Sequence, residues 1–202
     1  MKPVLLGLAL LALLLPIAAR ADGIDLSNQF GTVTIANSGI STIGSELMSF
    51  NGIQAGKNHS LGTVSFSTGA LISGDIWNGG TFSDVGSTFF VTGKGNYGQP
   101  KGTIFDGTFL GPISWTLIAS NKQFHEYQLT GEIIGQIWTG RTVTGSTTQT
   151  IYTYWNQEKV DHKGGIHLGS THLNTPEPST LGLLGTGLVA MAGMFRRKLS
   201  RK

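Results

Sequence analysis

Short stretches in which apolar and polar residues alternate run through the middle of this chain. Clear examples are residues 32–35, 63–66 and 114–117, and glycine, asparagine or aspartate interrupts the pattern every eight to twelve residues. No ten-residue window between the two chain ends shows the 3.6-residue apolar stripe of an amphipathic helix. The pattern predicts an all-β antiparallel domain, built as a β-sandwich, a jelly roll or a barrel.

Nine stretches of this domain are predicted as strands. They are residues 31–36, 62–67, 70–76, 88–92, 103–109, 113–119, 124–138, 142–155 and 166–172. The seventh is too long for one flat strand, so we expect a bend or bulge at Gly131 or Gly135.

Turns between the predicted strands are marked by glycine and asparagine. We expect them at Asn51-Gly52, Asn78-Gly79-Gly80, Asn121-Lys122 and Lys163-Gly164-Gly165. Residues 43–60 are polar and irregular, and they are predicted to form a long loop with a short helical turn at residues 45–50.

The first 21 residues have the three parts of a secretory signal peptide. Lys2 supplies the positive start, residues 4–15 are apolar, and Ala19-Arg20-Ala21 is a cleavage site for signal peptidase. The apolar run is too short for a first membrane helix and ends at Pro16. We therefore expect export through the Sec translocon and a mature chain that begins at Asp22.

The last 29 residues have a different three-part order. Pro176-Glu177-Pro178 is a stiff, extended triplet, since each proline fixes its own φ and restricts the residue before it. An apolar run follows at residues 181–195, and as a helix it would be about 22 Å long, short of the roughly 30 Å hydrocarbon core. The chain then ends in a basic tail that predicts a cytoplasmic stop, formed by Arg196, Arg197, Lys198, Arg201 and Lys202.

Residues 174–202 resemble the PEP-CTERM sorting signal of exported bacterial proteins in order, spacing and position. The resemblance implies that Pro176, Glu177 and Pro178 are recognised and processed by exosortase, a membrane-embedded sorting protease. These residues would then be features of a substrate and not of a catalyst. The layout is a signal peptide at residues 1–21, an all-β exported domain at 22–173 and a sorting segment at 174–202. The body also resembles small Gly/Thr-rich exported proteins, a likeness that implies no activity.

The net charge of the body differs from that of the whole chain. The chain carries +3, but residues 22–175 contain seven Lys and Arg and ten Asp and Glu, which gives 7 − 10 = −3. The basic character therefore belongs to the two ends, and we expect no nucleic-acid partner. The chain has no cysteine, which excludes disulfides and thiol chemistry.

Two motifs suggest a cofactor or a metal, and both have simpler explanations. Residues 93–98 fit the spacing GxGxxG, but another strand follows where a dinucleotide site needs a helix, so we interpret them as a hairpin loop with Lys94, Tyr97 and Lys101 exposed. His162, His167 and His172 recur every five residues, which does not bring three imidazoles to one side of a strand. We expect no cofactor and no metal site.

No catalytic signature stands out. A polysaccharide hydrolase would need a pair of carboxylates, and the even spacing of Glu126 and Glu132 puts both on one side of a straight strand. The other candidate carboxylates are Asp75, Asp84 and Asp106.

The aromatic residues leave a second alternative open. Trp77, Trp115, Trp138 and Trp155 are typical both of cores and of sugar-binding faces, although Trp115 alternates with Ile113 and Leu117 as a core residue does. On residues 151–155, either Tyr152 and Tyr154 or their neighbours face outward.

We therefore expect a non-catalytic domain, anchored in the inner membrane with its body in the periplasm before it reaches the cell surface or an extracellular polysaccharide matrix. The alternatives are a secreted polysaccharide hydrolase and a carbohydrate-binding module.

Overall fold

A computed structural model describes residues 23–121, 124–154 and 162–175, and Gly23–Thr175 form one compact unit. These residues contain eleven strands, all paired antiparallel, and no helix. The strands are β1 (Gly23–Ala36), β2 (Gly39–Phe50), β3 (Ile53–Gln54), β4 (Gly62–Ser67), β5 (Leu71–Asp75), β6 (Gly79–Phe82), β7 (Thr88–Lys94), β8 (Lys101–Ser120), β9 (Phe124–Ile137), β10 (Thr142–Tyr154) and β11 (His162–Asn174).

Eight of these strands close into an antiparallel barrel. Around the ring, β1, β2, β4, β7, β8, β9, β10 and β11 follow one another in chain order. The ring closes where β1 pairs with β11, from Gly23 opposite Asn174 to Ile35 opposite His162. The predicted all-β antiparallel class is confirmed, and of the three predicted architectures the barrel is the one observed. We call the end where β1 begins and β11 ends the lower end, and the opposite end the upper end.

The β5–β6 hairpin adds to the barrel at its upper end. β6 pairs with the upper half of β8, whereas β7 pairs with the lower half of the same strand. The indole Nε1 of Trp115 donates to the carbonyl of Ile76 at 3.0 Å, and the hydroxyl of Tyr127 donates to the carbonyl of Trp77 at 3.0 Å. These two bonds fasten the hairpin turn to side chains of the barrel interior.

The prediction for residues 43–60 is wrong in its first part. Residues 45–50 belong to β2, which pairs with β1 and β4, and they form no helical turn. Gly44, with φ of 71°, lies at a register shift that breaks the alternation, and the next inward side chain is the polar Ser45. The expected turn at Asn51-Gly52 is confirmed, since φ of 46° and 85° suits the tight β2–β3 hairpin.

The bulge predicted as one possibility in β9 is not observed. β9 pairs with β10 along its length without a register shift, and of the two irregularities on its other side one coincides with Gly111-Pro112 of β8 and the other with Ile118 of β8. The two strands predicted at 103–109 and 113–119 are one strand, and it bulges at Pro112 because proline cannot donate to the ladder. Gly131 serves a different purpose, because a Cβ there would lie 2.7 Å from the ring of Phe109.

Two of the remaining turn predictions need correction. Gly164 pairs with Val33 and Thr153 inside β11, so Lys163-Gly164-Gly165 is strand, and the missing side chain lets the strands approach closely. The turn expected at residues 78–80 lies at residues 76–78, and Gly79 and Gly80 belong to β6. Asn121 directly follows the last residue of β8, where the turn was expected. Lys122 lies outside the described residues.

The barrel interior contains two distinct clusters. The aromatic cluster consists of Phe66, Phe89, Phe105 and Phe109 on β4, β7 and β8, with ring centroids 5.8 to 6.2 Å apart. The polar cluster lies on the other wall, on β1, β2, β10 and β11, and it consists of Asn28, Ser45, Thr147, Gln149 and Thr171. Every member of both clusters is buried.

The described part of the chain contains no helix with the length and apolar character needed to cross a membrane. The predicted signal peptide at residues 1–21 and the predicted membrane helix at 181–195 lie outside the described residues.

Candidate functional sites

The folded domain ends immediately before the predicted sorting triplet. β11 ends at Asn174, which pairs with Gly23 and Thr144, and Thr175 is the last described residue. The triplet at 176–178, the basic tail at 196–202, and Ala19 and Ala21 of the signal peptide lie outside the described residues, and their roles stay predictions.

The GxGxxG motif lies in the β7–β8 hairpin, as predicted. Lys94 at the end of β7 pairs with Lys101 at the start of β8, and Gly95 and Gly98 have positive φ in the connecting turn. Lys94 and Lys101 are exposed and Tyr97 is 44% exposed, which confirms the expected exposed set. With a strand following the glycines, no helix N-terminus is present here to bind a pyrophosphate.

The predicted histidines lie along β11 with separate surroundings. Nδ1 of His172 lies 2.6 Å from Oδ1 of Asp25 on β1. The ring of His167 contacts the ring of Tyr152 on β10, with centroids 4.6 Å apart. His162 begins the strand opposite Ile35. Within the described residues no three metal-binding side chains come together.

Two of the candidate carboxylates are bound to backbone amides. Oδ1 of Asp75 accepts hydrogen bonds from the backbone N–H groups of Trp77 and Asn78, both at 2.7 Å, and its carboxylate also binds the Asn78 side chain. These bonds, led by that of the Asn78 side chain, lower the pKa of Asp75. Asp84 accepts from the N–H of Gly111 at 2.9 Å, so it supports the bulge of β8.

Glu126 and Glu132 both face outward on β9, as their even spacing predicts, because His125, Tyr127 and Ile133 face inward. Six residues of a strand span about 20 Å, well beyond the roughly 5–10 Å that separate the two carboxylates of a glycosidase. Burial, and then the hydrogen bond and charge of Glu126, raise the pKa of Tyr152. Asp106 is exposed on β8.

The tryptophans divide between core and surface. Trp115 is 1% exposed and stacks on Tyr127 with ring centroids 4.4 Å apart, which confirms its predicted core position with Ile113. Trp77 at the upper end and Trp138 at the lower end are 38% and 43% exposed. Trp155 lies outside the described residues.

On β10, Tyr152 belongs to the outward-facing set of residues. Ile151 and Thr153 are buried and face the interior, so Tyr152 lies on the outer face, where its ring also contacts the edge of Phe124.

The polar cluster was missed by sequence reasoning. Nδ2 of Asn28 donates to Oε1 of Gln149 at 3.0 Å and to Oγ of Ser45 at 2.8 Å, and Nε2 of Gln149 returns a 3.3 Å bond to Oδ1 of Asn28. The two amides meet over Gly169, where any Cβ would collide with both amide oxygens.

The rest of the polar cluster continues the network to β11. Nε2 of Gln149 also donates to Oγ1 of Thr147 at 2.8 Å, and that hydroxyl lies 2.9 Å from Oγ1 of Thr171. The donors and acceptors are thus bonded to one another, as buried polar groups in a stable interior are. A sequence signal existed in the inward positions of Asn28 and Gln149 on alternating strands, but a strand prediction assigns inward positions to apolar residues.

Comparison with known proteins identifies the C-terminal segment. Residues 174–198 match the family model of the PEP-CTERM protein-sorting motif, and no curated protein and no solved structure matches the chain. The matched range contains the whole triplet, the apolar run and the first three basic residues of the tail. The resemblance recognised from the residues is therefore confirmed: the chain carries a PEP-CTERM sorting motif, which implies export, recognition by exosortase and membrane-associated processing.

Proposed function

We propose that the barrel is a non-catalytic structural or binding module of the cell surface or the extracellular polysaccharide matrix. In this proposal the Sec translocon exports the chain, signal peptidase removes residues 1–21, and the segment at 181–195 holds the precursor in the inner membrane with the barrel in the periplasm. Exosortase then processes the chain at Pro176-Glu177-Pro178 and releases the barrel from its anchor.

The end of β11 is the observation that carries this proposal. The last strand residue, Asn174, is two positions before Pro176, and the strand is already paired with β1 and β10. Cleavage within or after the triplet therefore removes no strand of the barrel. A sorting signal that overlapped β11 would instead open the ring on processing.

The surroundings of the candidate catalytic residues support a non-catalytic role. Asp75 and Asp84 stabilise turns and bulges, and Glu126 and Glu132 lie far apart on the outer face. A hydrolase that uses the latter pair is therefore poorly supported.

A carbohydrate-binding role has more support, since Trp138 and Tyr97 are both exposed at the lower end. Trp77 lies at the opposite end, so the exposed tryptophans do not form one row.

The test of processing is the mature C-terminus. The full chain is expressed in a host that contains exosortase, and the released protein is measured by mass spectrometry. We expect the wild type to lack residues 196–202, and Glu177→Ala to stay in the membrane with Lys202 present. Glu132→Ala, which removes an equal charge from the exposed face of β9, should be processed normally. A released wild-type protein that still ends at Lys202 would contradict the proposal.

The test of the barrel's role is a polysaccharide-binding screen with the released protein. Trp138→Ala should lose binding if the lower end stacks on sugar rings, whereas Trp77→Ala serves as the control at the other end. Turnover of a polysaccharide by the wild type would overturn the non-catalytic role.

A further inference from the structure

We propose that the lower end of the barrel is a docking surface for an anionic lipid bilayer, which holds the folded domain against the membrane while the sorting segment is still attached. The inference rests on the membrane-held precursor proposed above, and it adds a contact made by the barrel itself. Its basis is the coincidence, at one end, of the chain's two exits, a set of cations and two exposed aromatic side chains.

Both chain exits lie at the lower end. β1 begins at Gly23 directly opposite Asn174, the last residue of β11. The segment before Gly23 has the sequence of a signal peptide, and the segment after Thr175 matches the sorting motif. Both neighbouring segments are predicted to enter a membrane. The chain itself therefore holds this end of the barrel near a bilayer.

Four exposed cations lie at the same end. Lys57 is in the β3–β4 connection, Lys94 and Lys101 flank the β7–β8 turn, and Arg141 lies beside the β9–β10 turn. Nζ of Lys94 donates to Oγ of Ser60 at 2.6 Å, which keeps this ammonium group at the lower end.

The acidic residues are distributed differently. At the lower end the described acidic residue nearest the chain exits is Asp25, which is bound to His172. Asp75, Asp84 and Glu126 lie toward the upper end, and Glu46, Asp106 and Glu132 lie within strands β2, β8 and β9. The segments that connect the strands at the lower end, residues 51–61, 94–101 and 138–141, thus contain the four cations and no acidic residue. Anionic headgroups attract such a cluster.

Two aromatic side chains project among these cations. Trp138 is 43% exposed and is held edge-on against Phe50 at 5.7 Å, and Tyr97 is 44% exposed in the β7–β8 turn. Indole and phenol rings with an apolar body and one polar group favour the headgroup level of a bilayer. An acidic polysaccharide offers similar negative charge, but the chain's exits bring only the bilayer to this surface.

The absence of cysteine allows the contact to be measured with single labels on the full chain. Thr139→Cys places a polarity-sensitive fluorophore in the β9–β10 turn, and Val85→Cys places the same label at the upper end, where Val85 is 80% exposed. The chain is inserted through its sorting segment into vesicles of phosphatidylglycerol and phosphatidylcholine. We expect the label at residue 139 to shift to the blue and to be quenched by brominated lipid, while the label at residue 85 behaves as in water.

Charge variants separate docking from simple tethering by the sorting segment. Lys57→Gln and Lys101→Gln leave insertion unchanged, and each should lower the ratio of docked to undocked barrel about fivefold. Vesicles of phosphatidylcholine alone and high salt should have the same effect. Trp138→Phe provides a second measurement, because it should remove lipid-quenched tryptophan fluorescence that Trp77→Phe retains.

Equal quenching of the two labels, or equal quenching in neutral and anionic vesicles, would overturn the inference. A label at residue 139 that responds to soluble acidic polysaccharide and not to lipid would assign the surface to a polysaccharide instead. Exosortase takes no part in this experiment, so a failure of docking with normal processing in cells would leave the proposed function intact.

Discussion

The aromatic cluster and the polar cluster occupy opposite walls of one barrel interior and depend on different physical terms. Phe66, Phe89, Phe105 and Phe109 are held by the apolar area they remove from water and by edge-to-face and stacked ring contacts. These terms are weakly directional. In the polar cluster the stabilising contacts are directional hydrogen bonds that satisfy groups already removed from solvent.

The two walls have different roles: the aromatic cluster mainly stabilises the barrel, and the polar cluster mainly sets the register of its strands. The polar cluster spans β10, β11, β1 and β2, which includes the β1–β11 pairing that closes the barrel. If β11 slipped by one residue, Gly169 would leave its position between Asn28 and Gln149, and a side chain would enter the amide pair. In the aromatic cluster, β7 and β8 are joined by a short turn at residues 95–100, which already limits their register.

Removal of a ring from the aromatic cluster should have the largest effect. Phe89 is fully buried and contacts Phe66, Phe105 and Phe109. Phe89→Ala should lower the free energy of unfolding by about 3–5 kcal/mol, since it loses apolar burial and leaves a cavity. Urea unfolding of the exported protein, followed by tryptophan fluorescence, measures this.

The matched control is the next residue of the same strand. Phe90 points outward and is 38% exposed, so Phe90→Ala should cost about 1 kcal/mol or less. Similar losses at the two positions would mean that the aromatic cluster does not dominate stability on this wall.

Loss of one amide from the polar cluster should have an intermediate effect. Asn28→Ala leaves Gln149 and Ser45 buried with fewer partners, and it should lower the free energy of unfolding by about 1–3 kcal/mol. Gly169→Ala should produce a loss of similar origin, because the new methyl group displaces the same amide pair. Since both variants break one contact, their double variant should lose less than the sum.

Ser27→Ala is the control for this set. Ser27 neighbours Asn28 on β1, and its hydroxyl forms a partly exposed 2.6 Å bond with Ser49. It should cost about 0.5–1 kcal/mol. Strictly additive losses for Asn28→Ala and Gly169→Ala in the same urea measurement would show that the amide pair is not a unit.

The aromatic wall could be anticipated from the sequence, whereas the polar wall could not. Alternation predicted β4 with its correct bounds and placed Trp115 and Ile113 in the core, because those inward positions are apolar. In β2 the inward Ser45 and the left-handed Gly44 break that signal, so the strand was predicted as a loop. Asn28 and Gln149 lie 121 residues apart in the sequence, and they become neighbours only when the ring closes.

The sorting signal could be predicted because it does not depend on contacts between distant residues. Its triplet, apolar run and basic tail are contiguous, and recognition depends on local sequence alone. The candidate sites of the body depend on distances between strands. Glu126 and Glu132 share a face, as the spacing predicts, but an extended strand separates them by about 20 Å.

The smallest effect concerns the stack of Tyr127, an ionisable residue, on Trp115. Tyr127 stacks on Trp115, and burial, followed by the negative charge of Asp75, raises the pKa of Tyr127 from 10.0 to about 12. In the unfolded chain this phenol ionises near pH 10, so between pH 10 and about 12 proton release favours unfolding. Stability should be unaffected by this group below pH 10 and should fall by about 1–2 kcal/mol as the pH rises through that window. Urea midpoints measured against pH test this, with Tyr127→Phe as the control.

The Tyr127→Phe variant loses the 3.0 Å bond to the carbonyl of Trp77 at every pH, so it should be less stable at neutral pH and show a flatter alkaline profile. The polar cluster contains no ionisable side chain, so an alkaline slope that persists in Tyr127→Phe would have to come from elsewhere in the protein.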